Sequence, residues 1–174
     1  RLKPFTQVLP KPLVPVKNKP FIQHITENFN DYGCKDFHVT VNFKSKIIKA
    51  FFEELNPNYK INFIDETTPL GTAGSLIFLK NIIKKSFFVF NSDVLIKADF
   101  KKIYDFYLKN KFDLTIVAST KEYVVPYGTC EIDEKGHLSQ INEKPSFNFL
   151  VNTGLYIMKP KILELIPKNS QFHL

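Results

Sequence analysis

The chain has 174 residues, 44% of them hydrophobic, enough for one domain with a sizeable core and too few for two comfortable ones. Its net charge of +7 comes from 24 Lys and Arg against 17 Asp and Glu, the cations spread in small pairs such as Lys84-Lys85, so no basic arm for nucleic acid stands out and the charge suits small polyanionic substrates about as well as plain solubility. No apolar run approaches the roughly 20 residues of a membrane span, and Cys34 and Cys130 lack the second pair or His spacing of a zinc site, which reads as two reduced cysteines of a cytoplasmic protein.

Arg1–Lys17 carries prolines at 4, 10, 12 and 15, which exclude a regular helix and a central strand. The segment reads as an extended loop that holds two cations, Arg1 and Lys11, on stiffened backbone; a solvated linker would have the same composition. Pro20 opens a helix with apolar residues at Phe21, Ile22, Ile25 and Phe29 and a stop at Gly33. A strand is predicted over Phe37–Phe43, a helix over Lys46–Leu55, and a short strand through Ile61, Phe63 and Ile64.

Leu70-Gly71-Thr72-Ala73-Gly74 then leads into a predicted helix Ser75–Ile83. Glycines three apart at such a junction let backbone approach a planar base or a phosphate, and they are equally ordinary turn residues.

Phe87–Asn91 is an apolar run that reads as the buried central strand, ending in Ser92 and Asp93. A carboxylate beyond the end of such a strand suits a divalent metal on a nucleotide phosphate, or a turn cap. Phe100–Leu108 shows helical spacing with Ile103, Phe106 and Tyr107 on one side, and Asp113–Ala118 is a further buried strand. Strand, helix, strand repeats of this kind imply an α/β fold. Gly128–Ile132 and Leu138–Asn142 flank the turn Asp133-Glu134-Lys135-Gly136 and predict an antiparallel hairpin. A strand Phe149–Met158, interrupted at Asn152-Thr153-Gly154, precedes a last short helix through Ile162, Leu165 and Ile166 and a polar tail.

In this order the pieces resemble the sugar-1-phosphate nucleotidylyltransferases over essentially the whole chain. Arg1-Leu2-Lys3-Pro4-Phe5-Thr6 looks like the end of the family's glycine-rich signature, and Pro10-Lys11-Pro12-Leu13 like its lysine motif. Leu70–Gly74 resembles the base-reading turn, and Asn91-Ser92-Asp93 the metal-binding motif. Glu143-Lys144-Pro145 and Val151-Asn152-Thr153-Gly154 resemble the sugar-site motifs.

The resemblance implies a Rossmann-like mixed, mostly parallel sheet flanked by helices, with a small antiparallel hairpin region. In the reaction it implies, a hexose-1-phosphate displaces pyrophosphate from a nucleoside triphosphate. It assigns catalytic roles to Arg1, Lys11 and Asp93, with Asp93 holding Mg²⁺. Nucleotide binding falls to Leu70, Gly71, Thr72 and Gly74, and sugar-phosphate binding to Gly128, Glu143, Lys144, Asn152 and Thr153.

The turn is most similar to that of mannose- and other hexose-1-phosphate guanylyltransferases, which favours GTP. Uridylyl, thymidylyl and cytidylyl transfer stay open, as does a non-catalytic sugar-nucleotide-binding regulator. That last reading draws on Ser92, which stands where the family usually has Gly. Two further segments, Val39–Asn42 and Ile166–Asn169, look like a bacterial subgroup that makes sugars for surface glycans. In that subgroup regulatory CBS domains are often attached, and homo-oligomers are left open. The resemblance also implies one domain without its first strand and glycine-rich loop, so that a chain beginning at Arg1 would leave a hole between strands. Either the polypeptide starts about two dozen residues earlier or this piece folds poorly and is inactive, and the family's second metal carboxylate falls beyond residue 174.

Overall fold

The computed structural model describes residues 5–168 and 170–174, so Arg1 lies outside the described residues. The chain divides into two compact units, one of Arg1–Ile116 with Gly154–Leu174 and one of Val117–Thr153.

In the first unit the proline-rich start contains one helical turn, α1 (Phe5–Val8), then a 3-10 turn over Lys11–Leu13. The expected loop is therefore corrected: between prolines 4 and 10 there is room for one turn before the missing N–H groups stop it. Buried Pro10, Leu13 and Val14 anchor the segment. A two-residue ribbon, β1 (Pro15–Val16) with β2 (Lys19–Pro20), turns it into α2 (Phe21–Asp31), where Pro20 supplies the N-cap.

β3 (Asp36–Val41) and β4 (Lys60–Asp65) pair in parallel through α3 (Ser45–Leu55), a βαβ unit as the pattern predicts. Its core joins Leu13, Ile22, Val41, Ile48, Phe52 and Tyr59. The Tyr59 hydroxyl is satisfied by Thr26 Oγ1 at 2.8 Å.

α4 (Gly71–Gly74) is a single turn that continues as a 3-10 turn over Ser75–Leu79, shorter than the helix the spacing predicts. β5 (Phe87–Phe90) follows, and then α5 (Phe100–Asn110), whose N-cap Asp99 accepts from the Lys102 N–H at 3.1 Å. Phe29 of α2 stacks on Phe100 with centroids 4.4 Å apart and meets Phe88 at 5.1 Å. Of the residues expected on one side of α5, Tyr107 is buried while Phe106 faces solvent.

The remaining strands are β6 (Leu114–Val124), β7 (Thr129–Ile132), β8 (Leu138–Asn142) and β9 (Ser146–Met158). β5 pairs antiparallel with β9, Phe87 opposite Met158 and Phe90 opposite Leu155, and the sheet order is β5-β9-β6.

The mostly parallel sheet is thus corrected. The sheets are small and mostly antiparallel, β3–β4 being the parallel pair among the described residues. An apolar run reports burial, which β5 shares only in part; it carries no information on strand direction. The second core lies under the 155–158 end of β9, around Ala73, Leu76, Tyr156, Met158 and Leu163. A closing 3-10 turn over Pro160–Leu165 stands where a short helix is predicted.

The second unit contains the antiparallel hairpin β7–β8, as expected, and the 146–153 part of β9. β9 runs through Asn152-Thr153-Gly154 without the expected interruption. Among the described residues, no helix is long and apolar enough to cross a membrane, and both cysteines are free.

Candidate active site

Lys11 sits on the 3-10 turn fixed by its buried neighbours, and Asp93 lies three residues past the end of β5. Lys11 Nζ is 3.5 Å from Asp93 Oδ2, with the side chains 57% and 37% exposed. Exposed pairs of this kind contribute about 0–1 kcal/mol. Folding therefore draws little from it, and both charges remain available to a ligand.

Upstream of Asp93, Asn91 donates its backbone N–H to Gly154 O at 3.0 Å. Gly154 has φ +76°, and a Cβ on it would lie 2.5 Å from Asn91 Nδ2. Gly154→Ala is therefore expected to lower stability by about 1–3 kcal/mol, from left-handed strain plus displacement of Asn91. Chemical denaturation reads that loss.

The glycine turn joins the same region. Pro12, Gly71, Thr72, Asn91 and Ser92 line one cavity of about 860 Å³, whose other walls include β3, β5 and α2. Most of that lining is apolar side chain from β3, β5, α2 and the Ser75–Leu79 turn, which places the cavity between the β3–β4 pair and β5. Three of the motifs singled out in the sequence, the lysine motif, the glycine turn and Asn91-Ser92-Asp93, thus fall in the first unit, the first and last joined by the Lys11–Asp93 pair and all three with residues lining this cavity. Leu70 is buried beneath the turn, and Thr72 is exposed.

What the sequence reading missed is the segment that holds the turn. Phe172 donates its N–H to Leu70 O at 2.9 Å, and Ala73 N–H donates to Phe172 O at 3.0 Å. Gly71 has φ +81°, and its Cβ would stand 2.6 Å from Phe172 O; one on Gly74 would be 3.1 Å from Ser170 O. The close approach that Gly71 permits is to Phe172 and His173, and that of Gly74 is to Leu70 Cβ at 2.8 Å as well as to Ser170 O. The signal lay in the alternation of Gln171-Phe172-His173-Leu174, read as a polar tail. Phe172 and Leu174 pack on the Ala73–Leu76 core, and Gln171 and His173 are exposed.

In the second unit, the register of β7 and β8 continues past Thr129 and Asn142 to bring Gly128 beside Glu143. A Cβ on Gly128 would lie 3.1 Å from Glu143 Oε2. Lys144 adopts φ +45°, uncommon for a side-chain-bearing residue, and forms no ion pair among the described residues. Thr153 Oγ1 donates to Val117 O at 2.6 Å, and Asn152 is exposed beside it.

No group of three or more His, Cys, Asp or Glu gathers into a metal site among the described residues. A lone carboxylate fits Mg²⁺ that arrives on phosphates, since that ion is commonly held by one or two carboxylates plus phosphate oxygens and water. It does not fit an ion bound to protein alone.

A family model described as nucleotidyl transferase matches residues 1–172. The mannose-1-phosphate guanyltransferase of Yarrowia lipolytica is 38% identical over 177 residues, which cover 95% of this chain and 48% of that protein. The mannose-1-phosphate guanylyltransferase catalytic subunit beta of Drosophila pseudoobscura pseudoobscura is 37% identical, with coverages of 95% and 47%. The chain spans about half the length of the curated relatives it matches. Among solved structures, HddC from Yersinia pseudotuberculosis complexed with GMP-PN gives a TM-score of 0.74 at 31% identity, covering 99% of this chain and 77% of that one.

Proposed function

The chain belongs to the nucleotidyl transferase family, and from that premise we propose that it transfers GMP from GTP to a hexose-1-phosphate with release of pyrophosphate. The observation that carries the reading is the exposed Lys11–Asp93 pair, 3.5 Å apart, whose neighbours Pro12 and Ser92 line the same cavity as the Gly71–Thr72 turn. GTP is favoured because the relatives named above are guanylyltransferases and HddC is complexed with a guanine nucleotide analogue.

In this reading the turn takes the base, Thr72 being its exposed polar group, while the side of Gly71 that lacks a Cβ faces Phe172 and His173. Lys11 neutralises the triphosphate where charge builds on the departing oxygens. A phosphate oxygen of the sugar forms the new bond to the α-phosphorus, and the bond from that phosphorus to the bridging oxygen of pyrophosphate breaks. Mg²⁺, brought by the nucleotide and held by Asp93, would supply further charge neutralisation. Lys144, without an ion pair among the described residues, serves the sugar phosphate. Glu143, Gly128, Asn152 and Thr153 offer an acceptor, backbone access and side-chain hydrogen bonds for sugar hydroxyls. Arg1 is kept as a proposed triphosphate ligand from its motif alone.

Melting temperatures with each of the four triphosphates, with and without Mg²⁺, test the nucleotide assignment. GTP with Mg²⁺ is expected to give the largest rise, and Mg²⁺ alone none. A larger rise with another triphosphate moves the assignment to that nucleotide.

A further inference from the structure

We propose that residues 170–174 act as a clamp on the nucleotide turn, with His173 as a positioning residue for nucleotide binding; this rests on the reading of Leu70–Gly74 as the base-reading turn. Three features of the contact set it apart from incidental packing.

The first is that it runs in both directions. Phe172 N–H reaches Leu70 O, Ala73 N–H returns to Phe172 O, and Gln171 Nε2 donates to Pro69 O at 3.4 Å. Such reciprocal backbone bonds fix the peptide planes of a turn that contains two glycines and would otherwise sample many conformations.

The second is that Thr72 is bracketed. His173 Nδ1 accepts from the Thr72 N–H at 3.3 Å and lies 3.4 Å from Thr72 Oγ1, which in turn accepts from the Leu174 N–H at 3.3 Å. His173 therefore sets where the hydroxyl of the turn's one exposed polar side chain stands. The third is anchorage: Phe172 and Leu174 are packed on the core beneath α4, so the clamp is held independently of any ligand.

The clamp touches neither Lys11 nor Asp93 among the contacts described, so its effect falls on nucleotide affinity and not on the chemical step. His173→Ala is expected to raise KM for GTP about fivefold, as loss of a single hydrogen bond does, with kcat and KM for the sugar phosphate within about twofold. His173→Asn keeps an acceptor oxygen near the Nδ1 position and is expected to retain the wild-type KM. Hydrogen exchange supplies a readout that needs no nucleotide: the Thr72 and Ala73 amides are expected to exchange faster in His173→Ala than in the wild type and the Asn variant.

Unchanged exchange in His173→Ala overturns the clamp, as does a KM for GTP that stays the same or falls, a fall meaning that the segment obstructs the nucleotide. If the wild type neither binds nor turns over GTP, the proposed function fails on its own, and the exchange comparison alone decides the clamp.

Discussion

Lys11→Ala is expected to lower turnover about 10²–10³-fold, equivalent to roughly 3–4 kcal/mol of transition-state stabilisation, while leaving the melting temperature nearly unchanged. The two halves of that statement come from one geometry. Lys11 is held in place by buried Pro10, Leu13 and Val14, yet its ammonium is exposed and its ion pair with Asp93 spans 3.5 Å in solvent. A pair like that adds at most about 1 kcal/mol to folding, so deleting it costs little. A preorganised cation beside reacting phosphates is worth far more, because the transition state concentrates negative charge there.

Asp93→Ala is expected to fall in the same range, and the double variant to lose less than the product of the two, since both groups act on the same phosphates. Steady-state pyrophosphate release measures all three. Wild-type turnover in either single variant removes that residue from the mechanism.

Gly71→Ala is expected to be the most damaging small substitution. At φ +81° an L-residue costs about 1–2 kcal/mol, and the new methyl would stand 2.6 Å from the Phe172 carbonyl, a backbone atom that cannot swing aside. Relief requires residues 170–174 to move, giving up the two backbone bonds to Leu70 and Ala73 at about 1 kcal/mol each. The total, about 2–4 kcal/mol, lowers the melting temperature by roughly 5–15 °C for a chain of this size. Gly33 provides the control: its φ is +90° with nothing within 4 Å of a Cβ, so Gly33→Ala carries the conformational strain alone. Equal losses in the two variants would show that the approach of Phe172 is unimportant.

The contrast between these glycines shows what a sequence reveals about such a site. The pair at 71 and 74 was legible as either a place of close approach or an ordinary turn, and local sequence does not choose between the two. What approaches it lies about a hundred residues away, and no local pattern connects Phe172 to Leu70. Strands behaved similarly. Phe87–Phe90 and the hairpin at Thr129–Asn142 were legible from β-forming residues and turn chemistry, and the βαβ unit β3-α3-β4 from its periodicity. The antiparallel return of β9 onto β5 was not, because burial alone does not encode direction. The left-handed backbone at Lys144 left no trace either, since it is imposed where the chain turns between β8 and β9 and not by the residue's own preference.

The most direct test of the central claim is pyrophosphate release from GTP with Mg²⁺ and a panel of hexose-1-phosphates, run beside Asp93→Asn. The proposed function predicts release that requires a sugar phosphate, is greatest with GTP among the four triphosphates, and falls about 10²–10³-fold in the variant. Release equal in Asp93→Asn and wild type, or GTP binding without any release, would contradict it.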